Sequence, residues 1–155
     1  MRIKSPFSRQ NILILSPIIL VMILDLVFTL LGQPPSYWQN YNLFNEGSPL
    51  GIILLSIHPA YLILFFILYL LFVLFLITNL KKPLKIIVAL SFFLGHIWGS
   101  VSWIPVLLYN FSQIQIDGWY LSIGYFIIIS IVSGFCINKW LKTKNEQQKT
   151  NSIIT

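Results

Sequence analysis

The sequence contains few charged residues. Asp, Glu, Lys and Arg make up 9% of its 155 residues, against 57% hydrophobic residues, whereas a soluble domain typically carries about 25% charged residues. So few charges cannot cover a surface that faces water, and the composition therefore predicts an integral membrane protein. A spanning helix needs roughly 20 apolar residues, so the chain has room for about four spans and for no separate soluble domain.

Cysteine is almost absent as well. With Cys136 alone, the chain can form neither an internal disulfide nor a metal site of several cysteines. The net charge of +6 does not indicate nucleic-acid binding, because the basic residues flank apolar segments as membrane anchors do.

Long apolar runs predict the helices. They predict an all-α membrane bundle in residues 1–141 with four helices, at residues 12–31, 49–78, 84–109 and 119–140. The second run is too long for one straight span, and Pro59 offers a kink. Residues 142–155 are polar and mixed, which predicts a disordered tail.

Basic residues are missing from two of the loops. None of the ten Lys and Arg residues lies between the first and second or between the third and fourth predicted helices. All of them fall at the N-terminus, in the turn around Lys81, or from Lys139 onward. Cytoplasmic segments are enriched in Lys and Arg, so the pattern predicts that both termini are cytoplasmic. We expect a bacterial cytoplasmic (inner) membrane.

Three ionisable residues interrupt the apolar runs. Asp25, His58 and His96 are the candidate catalytic residues, because ionisable side chains inside a membrane are costly and tend to mark function. Counted from the outer helix ends, they lie at depths of roughly 9, 12 and up to 20 Å. Asp25 is therefore expected to accept a hydrogen bond from a histidine, with His58 preferred for its depth and His96 as the alternative, in a pair that fastens helices together. All three are predicted to converge in a polar pocket that opens outward.

Other polar and aromatic residues fall near these three. Helical spacing places Thr29 on the face of Asp25, and Ser100 and Trp103 on the face of His96. Glu46 is expected at the pocket mouth. These four residues are the candidate binding residues. Pro59 has no backbone N–H, so the carbonyl of Leu55 one turn back lacks its usual helical donor. Inside a membrane this oxygen requires another hydrogen-bond donor.

Several functions are compatible with such a cluster. The leading interpretation is a non-enzymatic accessory, scaffold or partner-binding subunit without a cofactor, which contacts membrane lipids and a second copy or another membrane protein. The alternative is a metal-dependent hydrolase near the outer leaflet, with zinc held by Asp25, Glu46, His58 and His96. No H-E-x-x-H motif supports it. Haem b between His58 and His96 is disfavoured by their unequal depths. Proton-coupled transport through Asp25 would need an oligomer.

Small residues recur at a spacing of four on two predicted helices. Such faces let another helix approach closely, either within the bundle or in a second copy. The residues concerned are Ser91, Gly95 and Gly99 on the third helix and Ser130 and Gly134 on the fourth.

Asp25 and the run Asn45-Glu46-Gly47-Ser48-Pro49 resemble a group of uncharacterised small prokaryotic four-helix membrane proteins. In that group an Asp late in the first span precedes an Asn-Glu-x-Asn-Pro-like stretch before the second. Here Ser48 replaces the second Asn. The resemblance covers about the first third of the chain and implies a similar bundle with roles for Asp25 and Glu46, but no activity.

Overall fold

A computed structural model describes residues 9–113 and 117–154 of the chain. Within these ranges the fold is all-helical. The basic residues Arg2 and Lys4, which contribute to the predicted topology, lie outside the described residues. The helices are α1 (Arg9–Leu31), α2 (Pro49–Ile57), α3 (Pro59–Asn79), α4 (Lys82–Ser112) and α5 (Gly118–Ile154), and a short 3-10 helix, Pro35–Trp38, lies between α1 and α2.

Three helical stretches are long and apolar enough to cross a membrane. They are Pro59–Asn79, Leu84–Ser112 and Gly118–Lys142, and α1 adds a shorter apolar stretch, Leu15–Leu31. Many large apolar side chains on these helices are exposed, which is far more apolar surface than a protein shows to water. The chain is therefore an integral membrane protein.

The predicted second helix, residues 49–78, is two helices. His58 separates α2 from α3 with an extended backbone, at φ −177° and ψ 141°. Pro59 explains the break, because proline disfavours a helical conformation in the preceding residue and clashes with the carbonyl four residues back. α3 alone has 21 residues, which is the length of one span, while α2 with nine is too short to cross.

The later helices extend beyond their predicted ends. α4 continues through Pro105 and ends where Gln113 adopts a left-handed conformation, with φ 57°. α5 continues to Ile154, where the sequence predicts a disordered tail from residue 142. Residues 142–149 contain no Gly or Pro and include several good helix formers, so nothing local stops the helix.

α1 lies at the centre of the bundle. One buried cluster joins it to α4 and α5 through Val21, Ile97 and Ile129. A second cluster joins it to α3 and α4, and its buried members are Leu15, Ile18, Met22, Val73, Ile77 and Ala89. The two clusters fix the relative positions of α1 and α4, and these are the helices that carry Asp25 and His96.

α3 is buried near its two ends and open between them. Val73 and Ile77 are buried against α1 and α4, and Pro59 is buried at the other end. No residue from Ala60 to Phe72 is buried. Because the N-terminal half of α3 does not close against α1 and α4, space is left between these three helices, and the candidate site occupies it.

Candidate functional site

Asp25 and His96 form a close polar pair between α1 and α4. The His96 Nδ1 and Asp25 Oδ2 atoms are 2.7 Å apart, and the exposed fractions of the two side chains are 18% for His96 and 20% for Asp25. If the carboxylate is ionised, it can only accept hydrogen bonds, and Nδ1 then carries the proton and donates to Asp25. In the neutral ring, Nε2 is then left as an acceptor.

Gly99 provides the space for this pair. A Cβ atom at Gly99 would lie only 2.7 Å from Asp25 Oδ2 and 2.8 Å from Cγ, closer than real Cβ contacts. The neighbouring Ser100 is fully buried, and its hydroxyl donates to the His96 carbonyl over 2.6 Å. The same hydroxyl lies 3.5 Å from the Val21 oxygen of α1, so the small residues Gly99 and Ser100 let α4 approach the part of α1 that carries Asp25.

The pair borders a cavity of about 530 Å³ between α1, α3 and α4, which reaches the loop before α2. Three of the candidate binding residues, Glu46, Thr29 and Trp103, line it. Ser100 lies behind the wall and does not line it. The volume falls within the range of roughly 300–1,000 Å³ that is typical of small-molecule sites.

Aromatic side chains form much of the cavity wall on α3 and α4. Phe65 stacks on Tyr69 with ring centroids 6.0 Å apart, and Tyr69 meets Phe92 edge-on at 5.6 Å. Tyr69 also lies 5.7 Å from the His96 ring. The polar pair therefore sits beside a largely apolar, aromatic surface.

Trp103 closes the cavity against the end of α1. It is largely buried, and its ring lies where a Cβ atom of Gly32 would be, at 2.7 Å from Cζ3. Gly32 directly follows the predicted end of the first helix at residue 31, and it was not predicted as a site residue. The sequence offered one signal for this contact, a glycine at the same depth as a tryptophan on another span. A single sequence does not show that two such residues touch.

Gln33 was not predicted as a site residue, yet it fixes the loop that borders the cavity. Its side-chain amide donates to the backbone oxygens of Thr29 at 2.9 Å and Asn45 at 3.0 Å, and its Oε1 accepts from the Asn45 amide at 2.8 Å. A buried amide with these bonds holds Asn45 next to the end of α1. Glu46 follows directly in the chain.

Glu46 folds over the first turn of α2. Its Oε1 accepts from the Ser48 amide at 2.7 Å, while the Ser48 hydroxyl caps the helix by accepting from Gly51 at 3.2 Å. A Cβ atom at Gly51 would lie 2.7 Å from Glu46 Cγ, so this arrangement needs glycine there. A negative charge at a helix N-terminus is also favourable.

His58 is not part of the cavity lining. It is exposed, its Nδ1 accepts from the Ala60 amide at 3.1 Å, and its ring meets Tyr41 at 4.8 Å. The expected pairing of Asp25 with His58 is therefore not found, and Asp25 pairs with His96 instead. The cause is Pro59, which forces His58 out of the helix and turns its imidazole into the cap of α3.

The donor required by the Leu55 carbonyl comes from the loop. Tyr37 is fully buried, and its hydroxyl donates to the Leu55 oxygen over 3.1 Å. Its ring also contacts Trp38 and Tyr41, with centroids 5.2 and 5.5 Å away. Burial raises the pKa of the Tyr37 phenol, and the neighbouring Tyr41 adds to the effect. The aromatic loop thus ties down the end of α2.

The four candidate metal ligands do not come together. Among the described residues, no group of three or more His, Cys, Asp or Glu side chains is placed to hold a metal ion, and a catalytic zinc ion needs three protein ligands. His96 and Asp25 could supply two. Haem ligation by His58 and His96 also lacks support, because the two imidazoles do not line one cavity.

The small-residue faces have different surroundings. Within the described chain, Cβ atoms at Gly95 and Gly134 would meet nothing within 4 Å, whereas Gly99 lies against Asp25. Ser91 and Gly95 line the cavity, and Ser130 is exposed on α5. Close approach within the described bundle is therefore found at Gly99 alone among these positions.

The chain matches no protein-family model, no curated protein and no solved structure. Its function must therefore be argued from the site itself.

Proposed function

We propose that the chain is a four-span membrane protein with both termini in the cytoplasm, and that it acts as a non-enzymatic binding subunit. Its cavity opens outward and takes a small ligand. The fourth span is α1, whose 23 residues extend over roughly 34 Å. That length matches a hydrocarbon core of about 30 Å.

The charge pattern supports this orientation. With four spans, the N-terminus, the Lys81 turn and the C-terminal segment lie on one side, and they hold all ten basic residues. The loop with Glu46 then lies on the outer side. Since Asp25 is six residues before Leu31, it lies roughly 9 Å deeper than the end of α1.

The observation that carries the proposal is the position of the Asp25–His96 pair at a cavity. A pair that served only to fasten α1 to α4 would be enclosed by packed side chains. Here it borders about 530 Å³ that continues to the outer loop. Polar groups at such a depth are costly, and a cavity lined by them is suited to a ligand with complementary polar atoms.

Native mass spectrometry of the protein released from mild detergent tests the proposal. Gly95→Phe places a large ring in the cavity at a position where a Cβ atom meets nothing within 4 Å. The matched control is Gly134→Phe, on α5 and equally open. We expect the wild type and the Gly134 variant to carry a bound molecule that the Gly95 variant lacks. Identical spectra for all three proteins would contradict the proposal.

A further inference from the structure

The ionisable groups that line the cavity are Asp25, Glu46 and His96, and among the described residues no Lys or Arg lines it. The two carboxylates, when ionised, carry negative charge and can only accept hydrogen bonds. Two cavity serines use their hydroxyl protons on their own helix, since Ser91 donates to Ile87 and Ser102 to Gly99. The charged part of the cavity therefore offers acceptors, and a matching ligand has to bring donors and positive charge.

Each of the three groups keeps acceptor capacity. A carboxylate has about four lone-pair sites, and Asp25 Oδ2 is engaged by His96 while Glu46 Oε1 is engaged by Ser48. In a neutral His96 ring that donates through Nδ1, Nε2 can accept from a ligand N–H. A primary ammonium group has three donors, which is enough to address such acceptors.

The rest of the wall suits the remainder of such a ligand. Phe65, Phe66, Tyr69 and Phe92 line the cavity, and aromatic faces attract ammonium groups within about 6 Å. They also cover an alkyl chain. Among the described residues no Lys or Arg lines the cavity to pair a phosphate, so a phospholipid headgroup is a poor match. The geometry points to a single-chain amphiphile with a primary amine and no phosphate.

This inference rests on the proposed function and names its ligand class. The test uses the full chain in phosphatidylcholine nanodiscs at pH 7, with calorimetric titration of n-octylammonium and empty nanodiscs as the blank. We expect a saturable isotherm close to one ligand per chain. n-Octanoate and n-octanol, which lack the positive charge, should give no more than the heat of the blank. Octyltrimethylammonium keeps the charge but lacks the N–H donors, and it should bind more weakly than n-octylammonium.

Variants of cavity residues test whether n-octylammonium binds in the cavity. Glu46→Gln should weaken n-octylammonium binding about tenfold, the loss expected for one hydrogen bond to a charged group, and Asp25→Asn should weaken it at least as much. Gly95→Phe should abolish it and Gly134→Phe should not. If Asp25→Asn is not monodisperse, the Glu46 and Gly95 variants decide. Adding phosphatidylethanolamine to the nanodiscs should leave the affinity unchanged.

The outcomes separate this inference from the proposed function. Saturable binding of n-octanoate, equal binding of octyltrimethylammonium, or competition by phosphatidylethanolamine would overturn the ligand class. So would absence of n-octylammonium binding to a wild type that carries another molecule in native mass spectrometry. In each of these cases a bound molecule displaced by Gly95→Phe would still support the cavity as a binding site. Spectra that do not respond to Gly95→Phe would overturn both.

Discussion

At the scale of single residues, Gly99 decides whether the Asp25–His96 pair can form. A methyl group at this position would overlap the carboxylate, whereas the same group at Gly95 would meet nothing within 4 Å. We expect Gly99→Ala to lower the melting temperature in mild detergent, by an amount that corresponds to about 1–3 kcal/mol for overpacking. Gly95→Ala should melt like the wild type. Equal melting of the two variants would show that Asp25 has room to move.

Tyr37 is a second single residue on which stability depends. Tyr37→Phe removes the donor to the Leu55 carbonyl, and a buried acceptor without a partner costs about 1–3 kcal/mol. Reversible unfolding in mixed micelles should show a loss of this size, while Tyr61→Phe, at a 51% exposed position, should show none.

Tyr37 also makes the stability of the protein depend on pH. Burial raises the pKa of Tyr37 above its usual value of 10.0, so the unfolded chain releases this proton at a lower pH than the folded chain does. The stability contributed by Tyr37 is therefore fully present below about pH 10 and is lost as the pH rises through the folded pKa. The gap in stability between wild type and Tyr37→Phe should shrink above pH 10, and a gap that widens there would contradict the assignment.

At the scale of elements, the loop between α1 and α2 depends on Gln33. Gln33→Leu removes its hydrogen bonds to the Thr29 and Asn45 backbones. We expect amide hydrogen exchange to become faster in residues 36–48, because loops without such bonds open locally. Exchange in α4 should not change. Gln39→Leu, at an exposed position, is the control, and similar exchange in both variants would mean that other contacts hold the loop.

Much of the secondary structure was predictable from the local sequence, but the contacts between distant residues were not. The excess length of the second apolar run and Pro59 together pointed to a kink. The residue that donates a hydrogen bond to the Leu55 carbonyl was not predictable, because it is Tyr37, 18 residues away in the sequence. The ends of α4 and α5 were missed by a few residues or more, since helix ends depend weakly on the local sequence.

The site, like the fold, was predictable only in part. Depth and helical spacing placed the ionisable residues and their neighbours in one region, with Glu46 near its mouth. Asp25, Glu46, Thr29, His96 and Trp103 do line one cavity, whereas His58 and Ser100, which were expected there too, do not. The choice of partner for Asp25 failed, because it depended on the backbone of His58 at the helix break. Gln33 was missed because its importance comes from bonds to Asn45, 12 residues further along the chain.

At the scale of the whole molecule, orientation is the property that can be tested directly. A reporter that is active only in the cytoplasm should work when fused after Thr155 and should be silent when inserted near Asn42. The reason is that all Lys and Arg residues fall in the segments that we propose to be cytoplasmic. Activity of the Asn42 insertion would reverse the orientation, and the cavity would then open to the cytoplasm.

The open packing of α3 between its ends has a mechanical consequence. From Ile77 to Pro59 the helix extends over roughly 27 Å, so a tilt of about 5° moves one end by about 2 Å relative to the other. Because no residue between Pro59 and Val73 is buried, α3 can tilt when the membrane thickness changes, since tilt is how a helix adjusts to hydrophobic mismatch. A spin-label distance between Leu64 on α3 and Leu94 on α4, both exposed, should therefore differ between short-chain and long-chain phosphatidylcholine nanodiscs. The corresponding distance between α1 and α4, which the buried clusters hold together, should stay the same.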